Sequence, residues 1–569
     1  MNDNTTDIPT QFDILIVGAG AAGLTIANEF VGTTKRVCVL ESGGWQRSKT
    51  SDDLNEFESV GRPRTKDAPV RCRGVGGTTA LWTGRCGEFD QIDYAERSWL
   101  PISGWPITYS DMKPFLTRAD GILILPSLPS ASKGLRQLDS PVDQPSWNEK
   151  FFSTVGWRYS SSSEAHIRQF ASKENSLGVL DHSGSPIALN LGHFLGPKIA
   201  QSENVVVITD ATVMQILADK AGPVVYGAMV AAPNKKTARL FASQVVLACG
   251  GIENARLLLD SQGSNKKGLG NDHDQVGRYL TDHTYTILGT YQGSSGAAVR
   301  RRLGTRWINQ QGQRKIASFG LGLCADLQKR EELLNAAIHI VEFGEKQSAV
   351  SSIASAARTL KARGSYLQAA KELYDGMSRP SSLLSGILDR FIRKMPQLHT
   401  PDFTLVGCVV EQELNPDSRI TLSDKTNWLG QRLPVLDWRF SNREYLTARR
   451  TAELFFADLE RLNLPRPVPA DWIEAGEEAW SDSLTDLAHP MCTTRMSRDP
   501  AEGVVDQNCQ VHGVAGLFVA GSSVFATPGH MNPTHNIVAL SLRLADHLKG
   551  PSFSASASFD GRAATSVDQ

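Results

Sequence analysis

The stretch FDILIVGAGAAGLTIANEF, residues 12–30, decides how the beginning of the chain folds. FDILIV is apolar except for Asp13, which is typical of a strand buried on both faces. GAGAAG then places Gly18, Gly20 and Gly23 in G-x-G-x-x-G spacing, and LTIANEF predicts a helix. The stretch therefore predicts a strand, a glycine turn and a helix, the arrangement that binds a dinucleotide pyrophosphate.

The next segment completes this unit. RVCVL, residues 36–40, predicts a second buried strand, and Glu41 ends it. Gly18 allows the tight turn, Gly20 lets the backbone approach the pyrophosphate, and Gly23 lets helix and strand pack closely. Glu41 is placed to accept hydrogen bonds from ribose hydroxyls. Because all these parts are in register, we predict a Rossmann-type domain rather than an unrelated glycine turn.

This domain is predicted to be interrupted, because a long irregular polar segment follows ESGG at residues 41–44. Glycine-rich or strand-like signals return only later in the chain. They are RGVGGTTALWTGRCGEFD at 73–90, NVVVITDATVMQI at 204–216, SQVVLACGGIENARLLL at 243–259, and GLFVAGSSVFATPGHMNPTHNIVAL at 516–540.

Composition narrows the function classes. The formal net charge of −1 gives no reason to expect nucleic acid or an anionic membrane as a partner. The eight cysteines contain no C-x-x-C pair, so we expect no disulfide framework, no metal site and a reducing compartment. No segment has the ~18 apolar residues of a membrane span, and the N-terminus lacks a secretory signal. We expect a cytoplasmic protein with a disordered tail at 551–569.

Further motifs give the chain a family resemblance. They are VGRYLTDH at 276–283, NPDSRITLSD at 415–424 and HPMCTTRMS at 489–497. Together with the glycine-rich segments, in this order, they resemble the glucose–methanol–choline (GMC) oxidoreductases. The sequence is most similar to the branch with pyranose 2-oxidase and bacterial sugar and polyol dehydrogenases. The resemblance implies FAD as cofactor and oxidation of an alcohol to a carbonyl compound.

The implied fold is α/β, with an interrupted Rossmann-type FAD-binding domain and a second domain. Strand-like segments such as SFGLGLCADL and FTLVGCVVEQEL predict that this second domain is built on a mostly antiparallel sheet covered by helices. We predict FAD-binding segments at 10–90, 201–294 and 496–550. We predict substrate-domain segments at 91–200 and 295–495, the latter with a helical insertion at 347–395.

By resemblance, His489 is the catalytic base and Asn532 its partner at the alcohol oxygen. A neutral imidazole suits this task because its unperturbed pKa is about 6.5. The resemblance, the glycine turn and Glu41 together predict a set of cofactor-binding residues. They are Gly18, Gly20, Ala22, Gly23, Glu41, Gly77, Thr78, Trp82, Thr83, Val213, Gly521, Asn532, Pro533 and Thr534.

One departure from the family pattern concerns the flavin link. Pyranose 2-oxidases commonly attach their flavin through a His that precedes a Trp, and Leu81 stands at that position before Trp82. Because leucine cannot form this bond, we predict non-covalent FAD. The acceptor of the electrons is oxygen or a quinone-type compound, and the sequence leaves both open.

Other polar residues near these motifs have simpler interpretations. His535 and His283 are interpreted as packing or structural residues, and His530 either lines the cavity or packs. Asn532 could also cap the last helix. Cys492 replaces the glycine usual in the family, and we interpret it as a small buried residue rather than a catalytic thiol.

The substrate remains open at this stage. A sugar, glycoside, polyol or cyclic secondary alcohol fits the resemblance best. Two alternatives are a tailoring oxidase or dehydrogenase for a hydrophobic natural product and a hydroxynitrile-lyase-type relative. The insertion at 347–395 is a solvated amphipathic excursion, a lid, an oligomer contact or an interfacial surface. The oligomeric state is left undetermined.

Overall fold

The chain is described by a computed structural model. It covers residues 10–64, 70–128, 146–160, 188–219, 224–261, 267–310, 313–343, 356, 365–378 and 401–550. The predicted tail at 551–569 lies outside these residues, as does most of the insertion at 347–395. The described part of that insertion contains the helix Tyr366–Met377.

The first sheet has seven strands and contains the predicted dinucleotide unit. Gln11–Val17 pairs in parallel with Val37–Leu40 on one side and with Thr237–Leu247 on the other. Ile14, Leu15 and Ile16 are completely buried, as the unbroken apolar run predicts. In spatial order the strands are Val205–Ile208, Val37–Leu40, Gln11–Val17, Thr237–Leu247, Val225–Ala231 and Thr212–Ala218, with Leu517–Val519 also paired to Thr237–Leu247.

The second sheet has nine strands, and its strand pairs are antiparallel. This sheet confirms the predicted second architecture. Its strands in chain order are Arg85–Cys86, Phe152–Tyr159, Thr284–Gln292, Gly304–Gln310, Gln313–Leu323, Ala336–Phe343, Phe403–Val410, Val468–Pro469 and Thr485–Asp486.

The strand pairing shows where the chain changes sheets. Thr284–Gln292 already belongs to the second sheet, although the predicted boundary falls at residue 294. Arg85–Cys86 also pairs there, before the predicted boundary at 90. The segment ITLSD forms part of Arg419–Thr426, which lies in a separate three-stranded sheet with Arg432–Trp438 and Glu58–Gly61. A small sheet therefore accompanies the large antiparallel one.

Helices surround these sheets. The longest, Asn442–Arg461, begins at a capping box formed by Ser441 and Glu444. The last helix, Thr534–Lys549, packs against Ala21–Phe30 and Tyr109–Ile122. The other α-helices are Lys49–Asp52, Gln91–Tyr94, Leu191–Ala200, Gly250–Asp260, Ala297–Arg302, Ala325–Glu331, Trp472–Ala475 and Glu477–Ser483, and the 3-10 helices are Asp53–Asn55, Gly77–Ala80, Gly293–Gly296 and Ser522–Val524. Among the described residues, none of these helices is both long and apolar enough to cross a bilayer.

Candidate active site

A cleft lies where the parallel strands of the first sheet end. It encloses about 1400 Å³ of space between protein atoms, including its open mouth. Gly18, Glu41, Ala248 and Gly521 line it, and each follows the carboxyl end of a different strand of this sheet. This edge is where open α/β sheets bind their ligands, so the fold itself selects the cleft as the candidate site.

Most of the predicted cofactor-binding residues line this cleft. They are Gly18, Gly20, Ala22, Glu41, Gly77, Thr78, Trp82, Val213, Gly521, Pro533 and Thr534. Gly23, Thr83 and Asn532 do not belong to the lining. Gly23 has a packing role instead, because a Cβ there would lie only 1.9 Å from the carbonyl oxygen of Gly18.

The glycines leave the cleft surface clear. Gly18 has a φ of +101°, which favours glycine, and a Cβ there would lie 2.7 Å from the oxygen of Ala248. A Cβ on Gly20, Gly250 or Gly521 would meet no atom within 4 Å. The backbone at these three positions can therefore be approached closely by a flat or phosphorylated ligand.

Three helix N-termini contribute backbone to the lining. The helices are Ala21–Phe30, Gly250–Asp260 and Thr534–Lys549, and no side chain caps any of them. Residues of the first turn or cap of each helix line the cleft. Uncapped N–H groups and the positive ends of helix dipoles stabilise anions, so this arrangement suits a pyrophosphate and a negatively charged ring.

Glu41 is held by the backbone around it. Its Oε2 accepts a hydrogen bond of 2.8 Å from the Ala19 N–H, and its Oε1 accepts one of 3.0 Å from the Gly43 N–H. Burial raises the pKa of Glu41, while these N–H groups oppose the shift. Each carboxylate oxygen keeps a lone pair for a ligand hydroxyl, which agrees with the predicted contact to ribose.

A second charged group in the lining was not predicted. Glu253 forms ion pairs with Arg256 at 2.7 Å and with Arg73 at 3.1 Å, and Arg71 lies 3.9 Å away. Burial alone would raise the pKa of Glu253, but the three arginines outweigh it and lower the pKa to about 2. The i,i+3 spacing of Glu253 and Arg256 in GGIENARLLL was the available signal. Glu253 and its three arginines together carry more positive than negative charge, which favours the binding of a phosphate.

His489 lines the cleft and is held from behind by another histidine. Its Nδ1 lies 3.1 Å from Nδ1 of His283, and the two rings meet edge to face with centroids 5.1 Å apart. Burial lowers the pKa of His489 to about 4 and that of His283 to about 3. Both rings are therefore neutral at neutral pH. From the sequence, His283 is predicted to have a structural role only, so its contact with His489 is a new finding of the structure.

The hydrogen bonds assign the tautomers of this pair. His283 Nε2 lies 3.3 Å from the Pro528 carbonyl oxygen, which can only accept, so this nitrogen carries the proton. Nδ1 of the neutral His283 is then an acceptor, and His489 must donate to it from its own Nδ1. The lone pair of His489 is consequently on Nε2, the nitrogen that is free to take a proton from a ligand.

The residues around the start of the last helix have distinct roles. Pro533 is the N-cap of Thr534–Lys549 and no side chain caps the helix, so the capping interpretation of Asn532 is wrong. Asn532 is partly buried beside Pro533, which lines the cleft. His535 is completely buried, and its Nε2 lies 2.9 Å from Asp120. This agrees with a packing role for His535.

His530 and Cys492 complete the residues singled out from the sequence. His530 is 1% exposed, and neither ring nitrogen has a hydrogen-bond partner. Asp90, Asp93 and His530 each have one possible metal-ligand atom, and these three atoms lie within 4.8 Å of one another. The expectation that the protein binds no metal therefore stays a prediction.

Cys492 is buried with a φ of 67°, a conformation that suits the family's usual glycine. Burial raises the pKa of Cys492 to about 12, so its thiol is unreactive.

This fold and cleft are typical of a dinucleotide-binding protein, and a neutral histidine lines the cleft at the carboxyl edge of the sheet. Two family models described as GMC oxidoreductase match residues 192–285 and 415–541. These two segments of the chain are therefore similar to GMC oxidoreductases.

Similar proteins span nearly the whole chain. The 2-methyl-1,2-propanediol dehydrogenase of Mycolicibacterium austroafricanum is 22% identical, with 95% of each chain covered. The fructose dehydrogenase large subunit of Gluconobacter japonicus is also 22% identical, over 94% of this chain and 97% of that protein. The solved formate oxidase superposes with a TM-score of 0.56 at 16% identity, covering 95% and 98% of the two chains. Pyridoxine 4-oxidase from Mesorbium loti has the same TM-score and identity, covering 94% and 99%. These structures confirm the α/β fold.

Proposed function

We propose that this protein uses non-covalently bound FAD to oxidise a CH–OH group of a small polar alcohol to a carbonyl, with His489 as the base. FAD, when bound, supplies the acceptor for the hydride. The open backbone at Gly20, Gly250 and Gly521 supports the fit of this cofactor. Leu81 supports non-covalent binding, because its side chain has no atom that could form a bond to the flavin.

The cleft residues divide the work of holding the cofactor. Glu41 accepts from the ribose hydroxyls, and the N-terminus of Ala21–Phe30 binds the pyrophosphate. The arginines around Glu253 add positive charge in the same cleft. The N-terminus of Thr534–Lys549 would stabilise negative charge on the flavin ring. Thr83 is assigned to the flavin by the family resemblance alone, because it does not line the cleft.

The observation that carries the proposed reaction is the hydrogen bond between His283 and His489. It fixes the His489 ring and puts the lone pair on Nε2, where an alcohol proton can be accepted. Asn532 precedes Pro533, which lines the cleft, and by the family resemblance we assign it the hydrogen bond to the same alcohol oxygen that stabilises developing alkoxide charge. The low pKa of His489 keeps this base neutral and ready across the neutral pH range.

The relatives support a polar, hydroxylated substrate. Two of them are named for 2-methyl-1,2-propanediol and fructose, and a third is the paromamine 6'-oxidase of Streptomyces fradiae, 23% identical over 96% of this chain. We therefore place the substrate among sugars, glycosides, polyols and cyclic secondary alcohols. Oxygen or a quinone-type compound completes the cycle as electron acceptor.

The test is anaerobic mixing of the FAD-loaded protein with a panel of sugars, glycosides, polyols and apolar alcohols, followed by flavin absorbance near ~450 nm. We expect a polar alcohol to bleach the flavin. His489→Ala should slow bleaching by about 10²- to 10⁴-fold, the usual contribution of a general base, while FAD remains bound. The exposed His273 provides the matched control, and His273→Ala should bleach at the unchanged rate.

Three outcomes would contradict the proposal. Equal bleaching rates in His489→Ala and the parent protein would remove His489 as the base. Release of cyanide from a cyanohydrin without bleaching by any alcohol would favour the lyase alternative. Bleaching only by apolar alcohols would favour a tailoring enzyme for hydrophobic compounds.

A further inference from the structure

Arg85 is a cation without an anionic partner. It lies on the short strand Arg85–Cys86 of the second sheet and is partly buried. Its Nε is buried and has no hydrogen-bond partner. Among the described residues, no carboxylate pairs with this guanidinium, and the groups that act on it electrostatically are the hydroxyls of Tyr159 and Tyr285. A buried donor without a partner is costly, and a ligand acceptor at this nitrogen would offset that cost.

The surroundings of Arg85 hold the guanidinium in place. Its Cζ lies 4.2 Å from the ring centroid of Trp157, which is almost fully buried. The His339 ring contacts both Trp157 and Tyr285, with centroid distances of 5.7 and 5.5 Å. This aromatic wall fixes the plane of the guanidinium and leaves no acid to neutralise it.

The chain connects Arg85 to the candidate active site from two sides. Trp82, three residues earlier in the sequence, lines the cleft. Tyr285, at the other end of the aromatic wall, follows His283 by two residues, and His283 holds His489. The charge of Arg85 also acts on the His489 ring and contributes to lowering its pKa. Arg85 itself does not line the cleft, so a molecule whose hydroxyl is at His489 would have to extend beyond the cleft lining, past Trp82, to reach it.

We propose that Arg85 is the binding residue for a carboxylate on the substrate, so that the alcohol oxidised at His489 is a hydroxycarboxylate. A guanidinium binds a carboxylate through two parallel hydrogen bonds, and the stacked ring of Trp157 presets its orientation. This assignment rests on the proposed alcohol oxidation, since it names the substrate class of the same site.

The charge balance favours a carboxylate over a phosphate. A single unpaired guanidinium neutralises one negative charge, which matches a carboxylate, whereas a phosphate monoester carries nearly two. The other arginine near His489, Arg64, is already paired with Asp282. Among the described residues around His489, Arg85 is thus the cation that remains available for a ligand.

The experiment measures binding without turnover. The FAD-loaded protein is titrated calorimetrically with acetate, with acetamide as its neutral isostere, and with inorganic phosphate. We expect acetate to bind at least about tenfold more tightly than acetamide, because charge-assisted hydrogen bonds exceed neutral ones by about this factor. Arg85→Met should abolish the difference, and Arg85→Lys should keep part of it. Arg301, an exposed arginine, provides the control, and Arg301→Met should bind acetate unchanged.

The outcomes of these titrations distinguish failure of the carboxylate site from failure of the proposed alcohol oxidation. Equal affinity for acetate and acetamide in the parent protein, or unchanged acetate affinity in Arg85→Met, would overturn it. Phosphate that binds more tightly than acetate through Arg85 would overturn the carboxylate assignment. If acetate binding depends on Arg85 but no alcohol bleaches the flavin, the anion site stands and the oxidation fails. In the kinetic arm, D-gluconate should outperform D-glucitol, and Arg85→Met should raise the KM for gluconate more than it lowers kcat.

Discussion

The two halves of the site treat buried charge in opposite ways. On the nucleotide side, Glu41 receives two backbone N–H groups, and Glu253 is paired with Arg73 and Arg256. On the substrate side, no carboxylate among the described residues pairs with Arg85, and His530 has no hydrogen-bond partner at either ring nitrogen, with Asp90 3.8 Å from its Nδ1. The charges of the first half are paired within the protein, although Glu253 Oε1 and Arg71 Nη1 have no hydrogen-bond partner, whereas the guanidinium of Arg85 has no such carboxylate pair in the described part of the chain.

This difference has an energetic consequence. Removing one member of a completed charge group leaves the others unpaired and costs stability. Removing an unpaired charge relieves an existing cost and leaves stability unchanged or raises it. Substitutions in the nucleotide half should therefore damage the fold, and substitutions in the substrate half should damage function alone.

The largest expected effect on this comparison comes from Glu253→Gln. It removes the carboxylate that Arg71, Arg73 and Arg256 share and leaves Asp260, 3.4 Å from Arg256, as a remaining partner; breaking a buried pair costs about 3–5 kcal/mol. Urea unfolding of the FAD-saturated protein, followed by circular dichroism, should show the corresponding drop in midpoint. Glu460 is exposed near the end of its helix, and Glu460→Gln is the matched control with little expected change. An unchanged urea midpoint in Glu253→Gln would contradict the claim that the charges of the nucleotide half stabilise the fold.

The next effect concerns His283, which we propose to position the base rather than to touch substrate. His283→Ala removes the acceptor for Nδ1 of His489, so the base can rotate or adopt the wrong tautomer. We expect flavin bleaching to slow by about 10- to 100-fold, the range of comparable orienting contacts.

His283→Gln provides the test of this positioning role. Its amide oxygen can still accept from His489, and we expect it to restore most of the rate while FAD binding stays normal in both variants. Equal losses in the Ala and Gln variants, with the fold intact, would assign His283 a merely structural role.

A smaller effect is the pH dependence. The pKa of His489 is lowered to about 4, so the base is neutral above that pH and protonated below it. The bleaching rate should therefore fall as the pH drops through about 4, rather than near the ordinary value of 6.5. Arg85→Met removes a positive charge that lowers this pKa, so the acid limb should move to higher pH. Stopped-flow measurements from pH 3.5 to 8 on both proteins provide the check, and coincident profiles would disconnect Arg85 from His489.

The same contrast explains how far the sequence could predict the molecule. The nucleotide half rests on local signals, because Gly18, Gly20 and Glu41 lie within one strand–turn–helix–strand unit with fixed spacing. The family motifs also indicated His489 and eight further residues of the cleft lining. Residues of both halves that act through distant partners were missed, such as Arg73 with Glu253.

The missed substrate-side contacts share one physical cause. His283 meets His489, and Arg85 stacks on Trp157, only after strands far apart in the sequence join the second sheet. No spacing in the sequence encodes such long-range pairing. The N-cap role considered for Asn532 was wrong for a local reason, since Pro533 itself occupies the N-cap position.

The smallest expected effect is also the sharpest test of the contrast, because it is the absence of a loss. Methionine in place of Arg85 keeps a long flexible side chain against Trp157 and removes the unpaired charge. We expect the free energy of unfolding to change by less than about 1 kcal/mol, or to increase, in the same urea experiment that exposes Glu253→Gln. A loss of about 3 kcal/mol in Arg85→Met would mean that the guanidinium is structurally paired. The guanidinium would then already have its partner within the protein. The proposal that Arg85 binds a substrate carboxylate would lose its support.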